Sequence, residues 1–102
     1  MPHFLVLAYD GTDAEAKNRR TAVRAAHLNY IKPMVAKGEI ITGGAILDDQ
    51  GKPIGSAVMT EFPNRASVDA WFAKEPYVQQ GVWKRIEVQP MHVVVRDSKI
   101  TP

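Results

Sequence analysis

Apolar positions along this chain change period as it is read, and each change marks an element. Phe4 to Tyr9 is a continuous apolar run, too short for a helix, which predicts a strand buried on both faces. Asp10-Gly11 turns the chain. From residue 13 to 37 the period is helical. At about 100° per residue, Ala16, Val23, Tyr30, Ile31 and Met34 share one face. Thr12-Asp13-Ala14-Glu15 has the spacing of a capping box, with Thr12 accepting from the amide of Glu15 and Glu15 reaching back. The helix is predicted to end near Lys37, with Gly38 closing it in the left-handed conformation. Pro33 cannot donate to the carbonyl of Asn29 and is expected to bend or break the helix.

Glu39 to Leu47 reads as a second strand. Gly43-Gly44 interrupts it, where backbone can bulge or approach a ligand closely. Asp48 to Pro53 has the composition of a hairpin turn. Ile54 to Phe62 alternates, with Ser56, Val58, Thr60 and Phe62 on one side. Asn64 is placed to cap a short helix carrying Val68, Trp71 and Phe72 inward, and Glu75-Pro76 stops it. Pro76 opens one more turn, ended by Gly81. Trp83 to Val95 is predicted as the last strand, bent at Pro90, with residues 97–102 as a loose tail.

The order strand, helix, strand, strand, helix, strand, joined by right-handed crossovers, gives an α+β fold. It is a four-stranded antiparallel sheet with both helices on one face, the ferredoxin-like arrangement. One domain is expected over residues 1–96. The helices cover only one side of such a sheet, yet Phe4 to Tyr9 and Met91 to Val95 are too uniformly apolar for strands with one wet face. A second copy packing sheet to sheet is the simplest cover, so a homodimer is expected.

Composition removes several alternatives. The 102 residues include no cysteine, which excludes disulfides and thiolate metal sites. The formal charge is only +2 and its densest basic group is Arg19-Arg20 with Arg24. Aromatic and basic residues do not interleave on one strand face, so no nucleic-acid partner is expected. No stretch approaches a membrane span, and the start of the chain lacks the regions of a signal peptide, so a cytoplasmic location is expected. His3 and His92 have no ligand spacing, so no metal is expected.

One polar residue breaks the apolar stripe of the long helix. His27 falls between Val23 and Met34, where a leucine would be ordinary. An imidazole there is either a hydrogen-bonded core group or the working residue of a pocket between helix and sheet.

The ordered set Phe4-Leu5-Val6-Leu7, Tyr9-Asp10-Gly11, Arg24 before His27-Leu28, Gly38, Gly43-Gly44, Gly51, Gly55-Ser56, Glu75-Pro76-Tyr77 and Gly81 resembles the YciI-like (YCII-related) family. The resemblance spans nearly the whole chain. It implies a dimeric α+β barrel built from ferredoxin-like protomers. It also implies a site made of the helix histidine, here His27, and the acid of an Asp-Pro pair. That acid is Glu75 in this chain, one methylene longer than the family's aspartate and a poorer cap for the turn at Pro76.

A carboxylate that accepts from one ring nitrogen fixes the tautomer and stabilises the imidazolium formed when the other takes a proton. Walled by apolar side chains, such a base acts near neutral pH without metal or organic cofactor. This suits isomerisation, elimination or lactone chemistry on a small cyclic or aromatic metabolite. Around it, Arg24 is a candidate anchor for a substrate anion, against the commoner fate of a surface ion pair. Tyr9 and Tyr77 are candidates for the pocket mouth, although aromatic packing explains them equally well. Ser56 is a candidate ligand contact, with no spacing that marks a nucleophile. Two classes of function follow: a cofactor-free lyase or isomerase using His27 and Glu75, or a non-catalytic small-ligand-binding or accessory protein.

Overall fold

The computed structural model describes residues 1–102. In chain order the elements are β1 (His3–Asp10), α1 (Ala16–Ala36), β2 (Ile40–Leu47), β3 (Pro53–Glu61), α2 (Arg65–Lys74), α3 (Pro76–Gln79), β4 (Trp83–Met91), β5 (Val95–Arg96) and β6 (Lys99–Ile100). The first four long strands make one antiparallel sheet in the order β2-β3-β1-β4. This is the ferredoxin-like α+β arrangement that the element order predicts. No helix is long and apolar enough to cross a membrane.

Side-chain alternation decides which face of the sheet becomes the core. β1 buries Phe4, Val6 and Ala8, which pair across the sheet with Thr60, Val58 and Ser56 of β3, also buried. Over this face lie Val68 and Trp71 of α2, Tyr77 of α3, and Val23, Tyr30, Ile31 and Met34 of α1. Each large apolar side chain fully buried there stabilises the fold by about 1.5–3 kcal/mol. The other face carries Leu5 and Leu7, which remain half-buried within one chain. The expectation that β1 is buried on both faces is therefore met on one face only.

Gly55 shows how tightly β1 and β3 are drawn together. A Cβ placed there would lie 2.5 Å from the carbonyl oxygen of Ala8. Only glycine lets the strands approach so closely beside Ser56.

The start of α1 differs from the capping box. Its first residue is Ala16, Glu15 occupies the cap position, and no side chain caps the helix. Glu15 instead accepts from Asn18, 3.2 Å away. Asp13 takes the guanidinium of Arg19 through two bonds of 3.1 and 2.8 Å, while Arg19 Nε donates to the Gly81 carbonyl at 3.0 Å. A two-pronged charged pair is stronger than a neutral cap contact, and it ties the helix start to the turn before β4.

The far end of α1 closes as the sequence indicates. Gly38 has φ of 81°, and Glu39 N–H donates to the Met34 carbonyl at 2.9 Å. Pro33 does not break the helix, which runs on to Ala36. Both Asn29 and Pro33 are exposed, so the carbonyl deprived of its helical partner lies at the solvent side. In β2 the register shifts fall between Ile40 and Thr42 and between Ile46 and Leu47, on either side of Gly43-Gly44 rather than at it.

β4 stops at Met91, short of the expected Val95. It passes through Pro90 because it is an edge strand, where a missing donor costs least. The 97–102 segment, expected to be loose, folds back instead. Asp97 and Ser98, with φ of 52° and 61°, turn the β5–β6 hairpin, and Thr101 N–H returns to the Val94 carbonyl at 2.6 Å.

Candidate active site

The helical period places Arg20, Arg24 and His27 of α1 on one side, over the sheet. Glu75 arrives from the junction of α2 and α3. Pro76 holds the residue before it out of the helical region, and Glu75 has ψ of 120°. Its side chain then turns back to accept the Tyr77 N–H at 3.1 Å, capping α3. The same oxygen, Oε1, lies 2.6 Å from Nδ1 of His27. The extra methylene of glutamate thus does not prevent capping. Glu75 is fully buried, and its Oε2 has no partner.

With Glu75 as a carboxylate, which only accepts, Nδ1 of His27 is the donor, and in the neutral ring Nε2 then keeps its lone pair. Tyr77 stacks on the imidazole with ring centroids 4.0 Å apart, and Trp83 meets it edge-on at 5.8 Å. Burial pushes the Tyr77 phenol above its ordinary range, against the opposing pull of Arg20 and Arg24, so it stays a neutral hydroxyl at neutral pH.

A second polar chain runs beside this pair. Asp10 accepts from Arg20 Nη1 at 2.9 and 3.0 Å, and Arg20 Nη2 donates to Ser56 Oγ at 3.1 Å. Trp83 Nε1 donates to the same oxygen at 3.2 Å. The guanidinium of Arg20 also lies 5.1 Å from the centre of the Tyr77 ring.

Both chains border a cavity of about 480 Å³ between α1, β2 and β3. His27, Arg24, Ser56 and Tyr77 all line it, with Leu28, Ile31 and Val35 as apolar wall. Gly43 and Gly44 form part of its β2 side. No group of three or more His, Asp or Glu side chains converges as a metal site.

Tyr9 is not among the lining residues. Ala8 points into the core, so its neighbour Tyr9 points to the opposite face of the sheet, where the Arg85 guanidinium lies 4.2 Å from its ring centre. The expectation that Tyr9 lines the pocket mouth is corrected accordingly. Three residues were not anticipated: Arg20, Asp10 and Trp83. Arg20 had a readable signal, since it precedes His27 by seven residues, two helical turns on the same face. Asp10 and Trp83 had none, because only the closed fold brings them to Ser56.

The chain has relatives among known proteins. It is 30% identical over 96 residues to protein YciI of Escherichia coli, covering 88% of this chain and 98% of that protein. It is 31% identical over 98 residues to an uncharacterized protein of Haemophilus influenzae, covering 90% and 98%. Among solved structures it is similar to the 5-chloro-2-hydroxyhydroquinone dehydrochlorinase TftG of Burkholderia phenoliruptrix, in complex with 2,5-dihydroxybenzoquinone. That likeness has a TM-score of 0.77 and 24% identity over 88% of this chain and 93% of that one. A dimeric ferredoxin-like protein of Jannaschia sp. superposes with a TM-score of 0.51 and 16% identity over 91% and 100%. The YCII-related domain matches residues 2–92, and with the relatives above this shows that the chain belongs to the YCII-related family.

Proposed function

We propose that this protein is a cofactor-independent lyase or isomerase that moves a proton on a small cyclic or aromatic metabolite. The single observation that carries this reading is the 2.6 Å contact between His27 Nδ1 and a fully buried Glu75 carboxylate, beside an open cavity. In this reading Nε2 takes the proton, and Glu75 stabilises the positive charge that develops on the ring. Tyr77 and Trp83 hold the imidazole plane, so little reorganisation accompanies transfer. Arg24 and Ser56 contact the substrate. The fold likeness to TftG supports the substrate class by analogy, since a dehydrochlorinase removes a proton and chloride from a hydroxylated ring.

The reading is tested by offering wild-type protein and His27→Asn a panel of hydroxylated ring compounds that includes 5-chloro-2-hydroxyhydroquinone. Chloride release and ring-proton exchange are followed by electrode and NMR. Turnover by wild type that falls about 10²–10⁴-fold in His27→Asn supports it. Equal turnover by the variant overturns it, and binding without any turnover favours the accessory-protein reading.

We further propose that two copies pair sheet to sheet. Leu5, Leu7 and Met59 are half-buried on the uncovered face, and similar solved structures are described as dimeric ferredoxin-like proteins.

A further inference from the structure

Ser56 is held in an unusual hydrogen-bonding state. A serine hydroxyl has two lone pairs and one hydrogen. Both lone pairs are occupied, by Arg20 Nη2 at 3.1 Å and by Trp83 Nε1 at 3.2 Å. Arg20 is itself locked by Asp10, whose side chain is only 5% exposed. The oxygen therefore has no lone pair free for attack on a substrate. Its hydrogen has no acceptor in the protein, and the residue borders the cavity. Accepting from a guanidinium also polarises the O–H bond and makes it a stronger donor.

Arg24 borders the same cavity without a carboxylate of its own to pair with. Leu28, Ile31, Val35 and Val58 supply apolar wall beside them, so a ligand that satisfies these two donors has an apolar body with an anionic end.

We infer that Ser56 is an obligate hydrogen-bond donor and, with Arg24, selects the oxyanion form of the ligand, a phenolate or enolate. This rests on the reading of the cavity as the ligand site, but not on proton transfer by His27. Holding the anion in the cavity that His27 also lines stabilises the charge left on oxygen once a proton departs. Asp10 and Arg20 act through Ser56 as positioning residues, fixing the direction of its hydrogen.

The probe is 4-nitrophenol, whose absorbance separates phenol from phenolate. Titration with wild-type protein, at a pH where the free probe is mainly neutral, is expected to raise the phenolate band. Ser56→Ala is expected to weaken capture of the anion about tenfold, the size of one hydrogen bond to a charged group. Ser56→Thr, which keeps a hydroxyl, is expected to retain most of it. Arg24→Gln, on an exposed stretch of α1, is expected to weaken capture several-fold and serves if Ser56→Ala fails to fold. A band lost in His27→Asn but intact in Ser56→Ala and Arg24→Gln overturns the inference while leaving His27 as a base. Binding of the neutral phenol alone, or no binding, also overturns it.

Discussion

Tyr77 lies flat against His27, the two ring planes only 5° from parallel. The contact joins the turn after α2 to the middle of α1, and Glu75, two residues before Tyr77, completes it from the same turn. One short stretch, Glu75-Pro76-Tyr77, therefore supplies both the acid and the stacking partner of the imidazole. The proline forces this doubling, because it turns the glutamate out of the helix and starts α3 at once.

The first consequence concerns charge burial. Removing the imidazole leaves Glu75 enclosed with no counter-group. His27→Leu is expected to destabilise the fold by about 3–5 kcal/mol. Adding Glu75→Gln to His27→Leu is expected to restore much of that loss, since the amide carries no charge to bury. Urea unfolding of the two single variants and the double variant measures the coupling directly. Additive effects would show that the pair does not share its desolvation.

Glu75→Gln alone separates cap from chemistry. Its amide oxygen still accepts from the Tyr77 N–H, so α3 is expected to keep its structure by circular dichroism. Proton transfer is expected to fall about 10²–10⁴-fold with little change in KM. A variant as active as wild type would remove Glu75 from the reaction.

Glycine tolerance distinguishes two neighbouring sites. Gly55→Ala drives a methyl into the Ala8 carbonyl, 2.5 Å away, and is expected to cost about 1–3 kcal/mol. Gly44→Ala meets nothing within 4 Å and is expected to leave the melting temperature near that of wild type. Thermal melts of the two variants check the contrast.

The end of the chain is held by an ionic clamp with a definite pH sense. Arg96 donates to Glu61 at 2.9 Å and His3 lies 3.0 Å from the same oxygen, while Val93 N–H donates to the other His3 nitrogen at 2.8 Å. Arg96 first, and His3 second, hold the Glu61 carboxyl below its ordinary value of 4.5. As pH falls, the unfolded chain takes up that proton before the folded one. The stabilisation is therefore complete above about pH 4.5 and is lost as pH drops through the depressed folded value. Glu61→Gln is expected to be about 1 kcal/mol less stable than wild type at pH 7, with the gap closing towards pH 3. Amide exchange at Val93 is expected to quicken in the variant.

The proposed pairing is checked by sedimentation. Wild-type protein at micromolar concentration is expected at twice the chain mass, and Leu7→Asp, which charges the uncovered face, at the single mass. A wild-type monomer would refute the pairing.

Periodicity alone determined most of the scaffold. The alternation of Ser56, Val58 and Thr60, the stripe from Val23 to Met34, and the glycine closing α1 are local signals, and local sterics and burial act on them directly. Elsewhere a tertiary contact outweighed a local preference. The Arg19–Asp13 pair holds the start of α1 in place of the expected Thr12–Glu15 capping box, and β1 alternation carried Tyr9 away from the cavity. The site itself was half legible. His27 stood out as a polar residue in an apolar stripe, and Glu75 was marked by resemblance and by its proline. Distance between them, the orientation of Ser56, and the Asp10–Arg20 support are properties of the closed fold. They depend on residues up to 48 positions apart being brought within hydrogen-bond reach, which chain order does not encode as a local pattern.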